Sequence, residues 1–228
     1  MISHAHKAIF IHIPKCAGTS IESVLGHHDL YQGYRRQDHR TIRQLRPPPN
    51  PALALARRQL CRMRQASRML ALRAGFPYAN PRNMLTVTRA QFDSYFKFAF
   101  VRNPWDRIHS AYRKLMAGDW RRPEYGIDAP MDFDAFLERF AGHPRLKPQT
   151  EFICDEDGTV LVDFIGRFET LQEDFDRVCD RLGIARVTLP HHIRGPGGDY
   201  RQAYSARGRE LVAHHFAAEI ALLGYRFA

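Results

Sequence analysis

Lys15 stands in Pro14-Lys15-Cys16-Ala17-Gly18-Thr19-Ser20, after the apolar run AIFIHI (Ala8 to Ile13) and before the helix-like stretch SIESVLG. A cation, two hydroxyls and small residues between a strand and a helix are the parts needed to hold a phosphate ester. The N–H groups of a helix start face the anion, and small residues let the main chain approach it. Lys15 supplies a mobile positive charge, Thr19 and Ser20 supply hydroxyl donors, and the main chain around Cys16, Ala17 and Gly18 supplies the cradle. The Walker order G-x-x-x-x-G-K-[ST] is absent, because Lys15 precedes the glycine instead of following it, which disfavours a standard ATP or GTP hydrolase.

A second segment carries the same logic. Phe96 to Val101 (FKFAFV) reads as a buried strand that runs through Arg102-Asn103 into Pro104, a residue suited to a first helical turn. The helix is expected to continue to about Met116. Ser110 follows Arg102 by eight residues, about two helical turns, so both can face one anion, and the guanidinium is charged at every working pH. Arg102 alone would read as a surface ion pair; the two motifs in order favour a bound anion.

The pattern I-H-I-P-K-x-x-G-T-S-I resembles the 5′-phosphosulfate loop of carbohydrate sulfotransferases that use 3′-phosphoadenosine 5′-phosphosulfate (PAPS). FAFVRNPWDRIHSAY resembles the same family's 3′-phosphate motif, in which Arg102 and Ser110 would hold that phosphate. Lys147-Pro148-Gln149-Thr150, the stretch VDFIGRFE from Val162, and Leu223-Gly224-Tyr225-Arg226-Phe227 are similar to segments of bacterial members of the broad heparan 2-O- and chondroitin-type group, so the resemblance spans nearly the whole chain. It implies a P-loop-like three-layer α/β fold, with a central, mainly parallel sheet flanked by helices. It implies PAPS as co-substrate, held by Lys15, Cys16, Ala17, Gly18, Thr19 and Ser20 and by Arg102 and Ser110, with no metal. The reaction would be in-line transfer of a sulfuryl group to a hydroxyl of a carbohydrate or glycolipid, with Lys15 stabilising the leaving phosphate. His39, in Gln37-Asp38-His39-Arg40-Thr41, stands where the resembling enzymes place a catalytic base, and histidine titrates near neutral pH. Glu22, just inside the first helix, is its rival or else favours the helix N-terminus electrostatically, and His12 reads as a packing or orienting residue. The glycine-rich loop Ile193 to Arg201 is similar in place to a loop that covers the donor, which makes Arg194 and Arg201 candidate contacts. Two departures stand out: Cys16-Ala17 replaces the more usual Thr-Gly pair, and residues 52–74 have no matching segment.

The remaining elements must carry these residues. The polar stretch from Tyr31 to Arg46 reads as a linker or rim, and Pro47 to Pro51 is expected to stop any helix. Ala52 to Ala74 has strong helix formers, six arginines and no acid, so it reads as one basic helix, with Leu53, Leu60, Met63, Leu70 and Leu72 for an apolar side. Asp132 to Ala141 and Leu171 to Leu182 are amphipathic. Phe152 to Ile165 reads as a hairpin about the turn Asp155 to Gly158, and Ser205 to Leu223 as a helix stopped by Gly224. We expect one domain over 1–228, with a basic helical insertion near 52–74.

With 34 Lys and Arg against 24 Asp and Glu, the 228-residue chain carries a formal charge of +10, which favours polyanionic partners. A nucleic-acid-binding module would rest on that charge alone, since no recognised binding motif accompanies it. A P-loop-like phosphotransferase shares the strand, loop and helix and stays open beside it. The partner expected is a glycan or glycolipid acceptor and not a nucleic acid; nothing fixes the oligomeric state. Cys16, Cys61, Cys154 and Cys179 form no C-x-x-C pair, and the apolar start is too short for a signal-peptide core, so a reducing, cytoplasmic setting is expected. The basic helix reads first as a surface helix with a solvated basic face; a landing site for an anionic acceptor, or peripheral contact with the inner membrane face, is the alternative.

Overall fold

The computed structural model describes residues 1–33, 35–76, 78–118, 122–190 and 199–227. Its strands are β1 (Ile2–Ser3), β2 (Ala8–Ile11), β3 (Phe96–Val101) and β4 (Phe164–Arg167). Its helices are α1 (Gly18–Val24), α2 (Ile42–Leu45), α3 (Pro51–Arg73), α4 (Arg89–Ser94), α5 (Pro104–Met116), α6 (Phe133–Phe140), α7 (Thr150–Ile153), α8 (Leu171–Leu182), α9 (Ala206–His215) and α10 (Ala217–Leu223). The chain forms two compact units, Met1–Val101 with Phe152–Pro190, and Arg102–Glu151 with His191–Ala228.

The first unit is built on a sheet of order β1-β2-β3-β4. β1 runs antiparallel to β2, while β2 with β3 and β3 with β4 are parallel, in registers that set Ile11 beside Ala99 and Val101 beside Arg167. This is the α/β architecture expected, and its cause lies in composition. AIFI is buried throughout and FKFAFV at all but its first residue, the continuous apolar pattern of strands covered on both faces. The Phe10 and Phe98 rings stack at 5.1 Å between neighbouring strands. Lys97 is accommodated within β3 because its ammonium bends back to the carbonyls of Phe92 and Tyr95, at 3.2 and 2.9 Å, and pairs with Asp163. Parallel pairing has one consequence for function: the C-terminal ends of β2 and β3 are neighbours, and each strand leads onward into a loop and a helix.

Two expectations change here. The hairpin over Phe152 to Ile165 reduces to one antiparallel bridge, Cys154 with Val160, around a turn closed by Gly158 at φ +86°. The strand that follows pairs instead with β3, whose open edge offers a longer apolar partner. The prolines do not simply stop a helix, since Pro51 opens α3 at a position where its missing N–H has no intrahelical acceptor, and Asn50 caps the N–H groups of Ala52 and Leu53. α3 is the surface helix expected: none of its residues is buried, and Leu53, Leu60, Met63 and Leu70 are exposed, so its apolar side does not feed the core. Elsewhere in this unit α8 packs on β4, where Asp174 accepts from the Arg167 N–H and the Thr170 hydroxyl, both at 2.8 Å.

The second unit gathers α5, α6, α9 and α10 around an aromatic cluster that includes Trp105, Phe133, Phe136, Phe140, Tyr204 and Phe216. Buried polar tips are satisfied: the Tyr204 hydroxyl donates to the Trp105 carbonyl at 2.8 Å and the Trp105 indole to the Arg209 carbonyl at 3.1 Å. The single C-terminal helix expected from Ser205 is two, broken at Phe216, whose ring is buried. Gly224, at φ +65°, ends α10 as expected.

Candidate active site

In the first unit the turn between β2 and α1 is held in an uncommon conformation. Lys15 has φ +74° and Ala17 φ +60°, left-handed values that cost an L-residue roughly 1 kcal/mol or more each. The Thr-Gly pair usual in the resembling loop would relieve that strain at the second of these positions. Ala17 is the N-cap of α1 and its side chain caps nothing; its carbonyl takes the N–H groups of Ser20 and Ile21, at 3.0 and 3.4 Å. The amides of Gly18 and Thr19, the first two of the helix, have no hydrogen-bond acceptor among the described residues. Lys15 is half-buried beside them in sequence. Thr19 accepts from the Gln37 side chain at 3.4 Å and keeps its own proton to give, whereas the Ser20 hydroxyl donates to the Pro190 carbonyl at 2.6 Å. The Cys16 side chain is buried, and its main-chain N–H donates to the Ile13 carbonyl at 3.4 Å, so this residue shapes the turn.

Only glycine fits at position 18. A Cβ there would stand 2.1 Å from Cδ2 of the His12 ring. His12 in turn meets His39, with ring centroids 4.3 Å apart, so the loop and His39 share one neighbourhood. His39 Nδ1 lies 3.1 Å from the His12 carbonyl oxygen. A carbonyl only accepts, so Nδ1 carries the proton and the neutral ring keeps its lone pair on Nε2, ready to take a proton. Desolvation by the surrounding protein lowers the His39 pKa toward about 4, and the nearby His12 adds to the drop. The residue is still exposed at the surface, so water tempers that fall.

Glu22 is the residue that sequence reasoning misplaced. It is wholly buried, and one oxygen lies 3.1 Å from His28 Nε2 and 3.1 Å from His12 Nδ1, while the other accepts from the Asp38 N–H at 3.0 Å. The His12 contact is close enough for an ion pair but off the line of a hydrogen bond. Burial alone would raise the Glu22 pKa, yet His12 and the hydrogen bond from His28 outweigh it and hold the carboxyl well below its ordinary range. Glu22 therefore anchors the first helix to the segment bearing His39 and is an internal support, not a rival base. Replacing it, as Glu22→Ala, strands two imidazoles and an amide and should cost about 3 to 5 kcal/mol in urea unfolding. A loss under about 1 kcal/mol would contradict this role. Because the folded pKa is depressed, the Glu22 contribution is full above the unfolded value near 4.5 and is lost as pH falls through the folded one.

In the second unit Asn103 caps α5, accepting from the Trp105 N–H at 3.1 Å. The Arg102 guanidinium is gripped by both oxygens of Asp106, with Nε to Oδ2 at 2.7 Å and Nη2 to Oδ1 at 2.8 Å. Asp106 and Ser110 are one helical turn apart, so Arg102, Asp106 and Ser110 follow one face. Ser110 is half-buried. The Arg102 main chain is held as firmly as its side chain. Gln149 accepts from the Arg102 N–H and donates to its carbonyl, both at 2.8 Å, replacing the next rung of a sheet with a side-chain amide. Glu219, fully buried on α10, holds Gln149 by its side chain at 3.0 Å and by its main-chain N–H. Of these three supports, Asp106 left a signal in its i,i+4 spacing from arginine to acid and Gln149 in the family-like segment Lys147 to Thr150, while Glu219 left none.

Arg201 is paired with Asp199 at 2.7 Å, and Arg194 lies outside the described residues. His27 bonds Asn83 at 2.8 Å, and its pKa is lowered to about 4, chiefly by burial. Among the described residues no group of three or more His, Cys, Asp or Glu is placed to hold a metal ion.

The protein is of the α/β class, with a left-handed turn carrying a lysine set between a parallel strand and a helix at the C-terminal edge of its sheet, the place where such folds offer main-chain amides to anions. Comparison with known proteins gives that class its family. The profile described as Sulfotransferase family matches residues 1–204, and the chain belongs to that family. It is 30% identical over 149 residues to mouse carbohydrate sulfotransferase 14, covering 56% of this chain and 37% of that protein. The human protein of the same name is 29% identical over 152 residues, 57% of this chain and 38% of its own. An uncharacterized protein of Archaeoglobus fulgidus is 28% identical over 102 residues, 43% of this chain and 76% of that one. The chain thus spans little more than a third of the two mammalian relatives. No solved structure matches it.

Proposed function

We propose that this protein transfers a sulfuryl group from PAPS to a hydroxyl of a carbohydrate or glycolipid. The observation that supports this best is the turn at Lys15 to Thr19, with two amides lacking acceptors and His39 packed behind it through His12, in a chain of the sulfotransferase family. The name of the mammalian relatives favours a carbohydrate acceptor.

In this reading the Gly18 and Thr19 amides and the Thr19 hydroxyl grip the 5′-phosphate side of the donor, and Lys15 neutralises the charge that grows on the bridging oxygen. His39 Nε2 takes the acceptor's proton as its oxygen attacks sulfur in line, and the bond from sulfur to the phosphate oxygen breaks, releasing adenosine 3′,5′-bisphosphate. Arg102 and Ser110 hold the 3′-phosphate, Asp106 keeps the guanidinium oriented, and Gln149 with Glu219 fixes its main chain. Ala17 contributes main chain, Cys16 shapes the turn through its N–H bond to Ile13, and Ser20 mainly ties α1 to Pro190.

The test is incubation with sulfur-labelled PAPS and a panel of polysaccharides and glycolipids. Label should appear in at least one acceptor as an ester. Transfer of phosphate from ATP to the same panel, with none of sulfate from PAPS, would overturn the reading in favour of a phosphotransferase.

A further inference from the structure

α3 is 23 residues long, contains six arginines and no acid, and buries none of its residues. Its half-buried positions, among them Ala54, Arg57, Cys61, Gln65, Arg68 and Leu72, recur every three or four residues and form the seam that packs on the turn Pro81–Met84. That seam is polar: Arg57 donates to the carbonyls of Arg46 (3.0 Å) and Gln44, and Arg68 to that of Asn80 (3.2 Å).

The opposite side is the apolar one. Leu53, Ala56, Leu60, Met63, Ser67 and Leu70 alternate at spacings of three and four, and the four large members are 61, 47, 70 and 69% exposed. At about 100° per residue, the exposed Arg64 falls on one flank of this stripe and the exposed Arg62 and Arg73 on the other, while Arg57, Arg58 and Arg68 turn toward the half-buried seam. Phe76, 77% exposed, follows the helix directly. A continuous stripe of this kind on a basic helix needs a partner that is apolar in the middle and negative on both sides. A second copy of α3 would set arginine against arginine. A bilayer with anionic headgroups meets both demands at once, because long arginine stems reach up to phosphates while leucines enter the acyl boundary.

We propose that α3 is an in-plane membrane contact that docks the protein on an anionic lipid surface, with Leu53, Leu60, Met63 and Leu70 at the acyl boundary and the exposed Arg62, Arg64 and Arg73 on headgroup phosphates. This does not depend on the donor or acceptor of the reaction. The helix lies on the surface and does not cross it, since no helix among the described residues is long and apolar enough to span a membrane.

Co-sedimentation of the full chain with vesicles tests it. The protein should pellet with phosphatidylcholine vesicles containing phosphatidylglycerol and stay in solution with phosphatidylcholine alone. Leu60→Glu with Met63→Glu should abolish binding, and Arg62→Ala with Arg64→Ala should weaken it by about fivefold per arginine. Both pairs of substitutions lie at exposed positions, so unchanged urea midpoints should confirm intact folding. Absence of binding to either vesicle, equal binding to both, or binding indifferent to Leu60→Glu and Met63→Glu would overturn the proposal. So would a dimer that these two substitutions dissolve in a protein that ignores vesicles, which would assign the stripe to a second copy.

Discussion

Lys15→Ala should lower sulfate transfer from PAPS by about 10² to 10³-fold, the usual consequence of removing one group aimed at charge that develops in a transition state. The physical basis is that sulfuryl transfer leaves negative charge on the departing phosphate, and in a partly desolvated turn a fixed cation is worth far more than in water. Lys15 is half-buried there, at φ +74°, and alanine can take that φ at a similar steric cost. The substitution therefore removes a charge with little change to the backbone, and the urea midpoint should move by no more than about 0.5 kcal/mol in stability. The loss should appear in kcat under saturating donor. A variant that keeps the full rate would remove Lys15 from the chemistry, and one that fails to fold would instead place its worth in the turn itself.

His39→Ala should cost about 10² to 10⁴-fold in kcat, the range for a positioned base, with a smaller change in donor affinity. The pH profile adds a sharper sign. The reactive form is the neutral ring, and desolvation pulls its pKa down from 6.5 toward about 4. The rate should hold as pH falls through the ordinary histidine range and decline only below it, with the acid limb between those two values. Ionisation of an unperturbed imidazole would place the limb at about 6.5. The limb should vanish in His39→Ala. Its persistence there would assign the ionisation to another group, and an undiminished rate would remove His39 as the base.

How much of this was legible in the sequence varied with how local each cause was. β2, β3, α5 and α8 follow from continuous apolar runs, a proline in the first turn and helical periodicity, all of which act within a few residues. The strand at Phe164–Arg167 was visible as a strand, but its partner was not, because pairing with β3 or with its own upstream neighbour is decided by which edge buries more. The alternating spacing in α3 gave the existence of an apolar stripe and not its direction; Arg57 and Arg68 take the seam by reaching main-chain carbonyls that lie far off in sequence. In the site, the loop from Lys15 to Ser20 was readable as a motif, while the left-handed turns at Lys15 and Ala17 were not. The deeper supports were hidden for the same reason. Glu22 reads as an acid near a helix start until folding sets it among His12, His28 and the Asp38 amide. Gln149 and Glu219 reach Arg102 only through contacts far apart along the chain.

The proposed use of PAPS requires that the protein bind the nucleotide left after sulfate transfer. Calorimetric titration with adenosine 3′,5′-bisphosphate measures that directly. We expect saturable 1:1 binding, weakened by about 10 to 100-fold in Arg102→Ala, as loss of a charge-assisted contact requires, and weakened also in Lys15→Ala. Absence of binding by the folded protein, or binding that neither substitution alters, would contradict the claim.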